Sequence, residues 1–99
     1  MELFEMPYQL DHKKKHVQKV ANFEKTNIVN MQLAAGQEIA EHDADADVLI
    51  IVKSGKLELT VEGKVAEVSP GVMMRMVPKE KHSLKAIEDS DLMVIQIKR

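Results

Sequence analysis

From Thr26 to the end of the chain, apolar and polar residues alternate in short runs with a period of two. In "TNIVNMQLAAG", Val29, Met31 and Leu33 share one face of an extended segment, with Asn30 and Gln32 on the other. "KLELTVEGKVAEV" reads as a hairpin. Leu57, Leu59 and Val61 alternate with Glu58 and Thr60, and Glu62-Gly63 supplies a tight turn. "SPG" at Ser69 to Gly71 breaks the chain again, "VMMRMV" follows, and Pro78 ends that strand. "HSLKAI" and "DLMVIQIK" give two further strands around the turn-rich "EDSD". Turns at this spacing predict an all-β sandwich or barrel of about eight or nine strands.

Only "DHKKKHVQKVANFEK", near the start, departs from this pattern. Asp11 could cap a helix with Val17, Val20 and Ala21 on one face, or the segment could be a strand, and the pattern allows both. Residues 1–25 are therefore read as an extension packing on a barrel formed by residues 26–99.

The segment "GQEIAEHDADADVLIIVKSG" holds most of the candidate chemistry. If residues 40–52 form one strand, His42, Ala44, Ala46, Val48, Ile50 and Val52 share a face, one polar group on an apolar wall. Asp43, Asp45 and Asp47 then face solvent, the default for repelling charges. A bend or bulge near Asp45 would instead turn Asp47 inward, beside the histidine. The three aspartates imitate the start of a calcium-binding EF-hand loop, but Val48 and Ser54 stand where that loop needs glycine and glutamate.

The spacing of the punctuating residues carries a resemblance. Gly36, five residues, His42 and later Gly55 resemble the first motif of the cupin superfamily; Gly71 and His82 fall in register with the second. The resemblance spans Thr26 to Ile97 and implies a single-domain cupin, a jelly-roll type antiparallel β-barrel. Metal-binding members hold a divalent ion with three histidines and a glutamate. His42 and His82 match the first and last histidine, whereas Ala44 and Val48 replace the other two ligands. Val77, Lys79 and Ala86 also depart from the second motif. Half of the usual ligand set is missing, so the cofactor is unknown. A divalent first-row metal would need His42, His82 and Asp47 together.

The resemblance thus implies a pocket holding His42 and His82 over Ala44, Val48 and Ile50. Arg75 joins it if it faces inward, as does Gln96 within "MVIQIK". The function expected is small-molecule binding, as a sensor, carrier or accessory. The alternatives are a metal-dependent oxygenase, isomerase or decarboxylase, and a scaffold that binds no ligand. Catalytic residues stay unassigned: no serine sits in a nucleophile elbow, and no glycine-rich phosphate loop is present. Met74 and Met76 are expected to pack inward and Met73 to lie opposite with Arg75.

Composition narrows the partners. A net charge of -2 and only 3% aromatic residues leave no basic surface or stacking platform for nucleic acid. "HKKKH" at His12 to His16 reads as a solvated charge run. The longest apolar run, Val48 to Val52, is too short to span a bilayer, and no membrane partner is expected. Absence of cysteine fits a cytoplasmic location. The apolar residues of "DLMVIQI" and "VLIIV" fall on both faces of their strands, and this leads us to expect a homodimer.

Overall fold

The computed structural model describes residues 1–99. Nine strands form: β1 (Lys15–Phe23), β2 (Thr26–Leu33), β3 (Glu38–His42), β4 (Asp47–Ser54), β5 (Leu57–Val61), β6 (Lys64–Val68), β7 (Met73–Met76), β8 (His82–Ala86) and β9 (Ser90–Ile97). They make two antiparallel sheets, one ordered β1-β2-β9-β4-β7 and the other β3-β8-β5-β6. The fold is the all-β one predicted. No helix forms, so residues 15–23 take the strand alternative, pairing with β2 from Lys15↔Leu33 to Phe23↔Thr26. Asp11 caps nothing; it sits in a turn closed by the His12 N–H donating to the Gln9 carbonyl at 3.1 Å. No helix in the molecule is long and apolar enough to cross a membrane.

Strand alternation builds the core. Val48, Ile50 and Val52 of β4 meet Leu57 and Leu59 of β5, and Leu33, Val68, Met76, Leu84, Ala86 and Leu92 close the cluster. Each is nearly or wholly removed from water, and full burial of such a side chain stabilises by about 1.5–3 kcal/mol. Met76 turns inward while Met73 is exposed beside Arg75. The β5–β6 hairpin closes on Glu62 and Gly63, both at positive φ (47° and 81°), the signature of a two-residue type I′ turn. Gly55 is required for a second reason. Besides its φ of 96°, a Cβ there would collide with the Asp89 carbonyl and Ser90 Oγ, because the β4–β5 and β8–β9 turns press together.

One expectation is overturned. Residues 40–52 are not a single strand: β3 ends at His42, β4 begins at Asp47, and the four residues between them cross from one sheet to the other. The alternation nonetheless survives the crossing: Ala44, Ala46, Val48, Ile50 and Val52 are buried or half-buried, whereas Asp43, Asp45 and Ile51 are exposed.

The leading residues pack on the outer face of the five-stranded sheet through side chains that imitate a neighbouring strand. Gln32 Oε1 accepts the Gln9 N–H at 2.8 Å, and its Nε2 donates to the Pro7 carbonyl at 2.9 Å. Gln18 Nε2 donates to the Glu5 carbonyl at 3.1 Å. Beneath this arm lies a buried polar ladder: Gln32 donates to Asn30 Oδ1 at 3.0 Å, and Asn30 to Asp91 Oδ1 at 2.7 Å. On the arm, Tyr8 titrates above its ordinary value through desolvation and the nearby charges of Asp89, Asp11 and Asp91.

Candidate functional site

His42 on β3 and His82 on β8 stand directly opposite each other in the strand register. Their rings meet edge to face, centroids 4.2 Å apart and planes at 62°. His82 is 5% exposed, whereas His42 is open to solvent, so the pair forms a gradient from interior to rim.

A β-bulge aims His42 inward. Ile39 pairs with Leu84 and His42 with His82, which leaves Ala40 and Glu41 facing Ser83 alone. In an unbroken register Glu41 would oppose His82 on the face of Ile39, and His42 would point outward. The extra residue reverses that parity, and Ile39 and His42, three apart, line one cavity. Each ring is then fixed by its own strand. His42 Nδ1 lies 2.8 Å from the Ala40 carbonyl, and His82 Nδ1 lies 3.0 Å from the Glu80 carbonyl.

The cavity behind the histidines has a volume of about 270 Å³. Twelve residues line it, eight of them hydrophobic, including Val29 and Met31 of β2, Val48 and Ile50 of β4, and Val94 of β9. Its polar members are the two histidines, Asn27 and Gln96, and the Asn27 Nδ2 donates to Gln96 Oε1 at 3.2 Å. His42, His82, Val48, Ile50 and Gln96 are thus brought together as the sequence suggested. Sequence reasoning missed Asn27, Val29 and Met31 as liners, although the alternation of β2 already placed Val29 and Met31 on one face.

Three proposed site residues lie elsewhere. Ala44 is in the crossing segment, half-buried; it packs against the core cluster and borders a second, polar cavity with Asp45 and Lys98 that shares Asn27 and Gln96 with the first, but it does not line the cavity of the histidines. Asp47 opens β4 on the face opposite Val48 and does not approach the histidines. Its Oδ1 accepts Arg75 Nη2 at 2.8 Å, and its Oδ2 accepts Arg99 Nε at 2.9 Å. Hydrogen bonds from Arg99 and then Arg75 lower its pKa from 3.8 to about 2. Arg75 is accordingly turned outward and absent from the cavity. The inward Asp47 fails because the bulge falls at Ala40–Glu41 and not near Asp45.

These placements decide whether the residues suit a metal. No group of three or more histidine and carboxylate side chains is arranged to hold one. The side chains at the other two motif positions, Ala44 and Val48, carry no lone pairs, and only Val48 lines the cavity. The donor set does not fit the ion that the motif implies, and no chemical step is derived through it.

The family model described as "Cupin domain" matches residues 29–98. No curated protein matches the sequence. Among solved structures, an RmlC-like cupin protein from Desulfovibrio desulfuricans superposes with a TM-score of 0.85 at 22% identity, covering 98% of this chain and 96% of its own. An RmlC-like cupin family protein with a double-stranded β-helix fold from Methanocaldococcus jannaschii gives 0.84 at 22%, covering 99% and 91%. KdgF from Halomonas sp. gives 0.80 at 21%, covering 93% and 91%. At such identities the likeness extends to the fold.

Proposed function

The chain belongs to the cupin domain family, and from that premise we propose that it binds a small molecule in the barrel beside His42 and His82, as a sensor, carrier or enzyme accessory. One observation carries this reading: two imidazoles, paired at 4.2 Å, stand at the mouth of an otherwise largely apolar cavity of about 270 Å³. Such a site draws affinity from its apolar wall and orientation from a few polar groups. The fold itself does not choose a function, since one architecture hosts many. The scaffold alternative loses support because the methionines of β7 do not line or fill the cavity.

The test is an NMR titration with sugars, organic acids and phosphates. Shifts at both histidines and at Val48 and Ile50 are expected with the class that binds. A full panel that leaves both rings unmoved would sink the reading. Elemental analysis of untagged protein is expected to find no stoichiometric metal. Stoichiometric metal that disappears in His42→Ala would return the metal-dependent alternative.

The same proposal includes a homodimer paired through the outer face of the five-stranded sheet, where Ile51, Ile97 and Met73 are exposed. A cytoplasmic location is proposed from the cysteine-free composition.

A further inference from the structure

We infer that the ligand is an uncharged molecule with an apolar body and a hydroxyl that donates a hydrogen bond, a phenol being the simplest representative. This rests on the pocket reading above and narrows it to a chemical class.

The argument starts from where the imidazole protons sit. A carbonyl oxygen only accepts, so the Nδ1 atoms facing the Ala40 and Glu80 carbonyls, at 2.8 and 3.0 Å, are both protonated. A neutral imidazole carries one N–H, which leaves each Nε2 with a free lone pair. Because Nδ1 bonds back to its own strand, Nε2 points off the wall. The molecule contains one water-excluded side-chain polar atom without a partner, His16 Nε2. His82 Nε2 has no hydrogen-bond partner in the protein and is not water-excluded, and the open space that His82 borders is the cavity. The polar end of the site therefore presents acceptors that call for a donor.

Charge and size supply the rest. No lysine, arginine, aspartate or glutamate lines the cavity. A carboxylate or phosphate seated beyond the rim, against Val48 and Ile50, would lose its water with no fixed opposite charge, a far larger penalty than burying a hydroxyl that finds a partner. Asn27 Nδ2 is engaged by Gln96 Oε1, which leaves the Gln96 amide N–H groups as donors beside the imidazole acceptors, and a hydroxyl, donor and acceptor at once, can satisfy both. Cavities of about 150 Å³ admit benzene. A volume of about 270 Å³ accommodates one substituted six-membered ring against Val29, Val48, Ile50 and Val94.

The experiment compares para-cresol, toluene and para-toluate, which share a shape and differ in bearing a hydroxyl, nothing or a carboxylate. Methyl and histidine side-chain NMR would follow each titration. Para-cresol is expected to move both the Val48 and Ile50 methyls and the imidazole Nε2 resonances. It should bind about tenfold more tightly than toluene, the net contribution of one hydrogen bond, and para-toluate should bind weakest. His42→Phe, and separately His82→Phe, should shrink the cresol advantage while toluene still binds, which reports an intact cavity. Equal binding of cresol and toluene, or tightest binding of para-toluate, overturns the ligand class and leaves the pocket standing. Failure of all three also overturns the class. The pocket reading falls only if the wider panel of sugars, organic acids and phosphates fails as well.

Discussion

At Gly55 two constraints coincide, a φ of 96° and a Cβ position occupied by the Asp89 carbonyl and Ser90 Oγ. Gly63 shares only the first, with open space around it. Thermal unfolding should separate them. Gly63→Ala is expected to destabilise by about 1–2 kcal/mol, the left-handed backbone cost. Gly55→Ala should cost about 3 kcal/mol or more, since two turns must also separate. Asp47 gives a second residue-level test. Its folded pKa of about 2 lies below the ordinary 3.8. The ion pairs with Arg99 and Arg75 therefore contribute fully above about 3.8, and the contribution is lost as pH falls through about 2. A carboxyl carbon titration should read that low midpoint, and Arg99→Ala should raise it toward 3.8. An unshifted midpoint in wild type would refute the paired geometry.

At the scale of elements, the bulge in β3 and the docked arm both depend on partners distant in sequence. Deleting Ala40 leaves Glu41 alone opposite Ser83 and makes β3 regular, with His42 still facing His82. Contacts between the two rings in NOE spectra should persist in that variant, whereas the same deletion in an unbulged strand would flip the histidine outward. The arm hangs chiefly on the Gln32 amide, which serves Gln9 and Pro7 together. Gln32→Ala should destabilise the protein by about 1–3 kcal/mol, because it strands buried polar groups of its neighbours. As the arm comes away, the Tyr8 phenol should titrate closer to its ordinary value; an unchanged Tyr8 would mean that other contacts hold the arm.

For the whole molecule, the two faces of the five-stranded sheet have different destinations. The inner face closes the core and cavity. The outer face carries the arm over β1 and β2 and still exposes Ile51, Ile97 and Met73. If a second copy covers that face, Ile51→Lys should shift sedimentation toward monomer while leaving the fold and cavity shifts unchanged. A wild-type protein that sediments as a monomer at all concentrations would rule out the pairing.

The alternation of β2, β5 and β9, the Glu62-Gly63 turn and the spacing of Gly36, His42, Gly55, Gly71 and His82 were legible in the sequence, because side-chain period and turn chemistry are local properties. They determined the all-β class, the family and the two histidines of the cavity. The outward turn of Asp47 and Arg75 was one of two readings the sequence left open, and the parity of His42 and the crossing at residues 43–46 were not legible. Each depends on which strand lies alongside and where one extra residue interrupts the register. A shift of one position exchanges the two faces of a strand, and nothing within the strand itself records that shift. Only the packed sheets decided it.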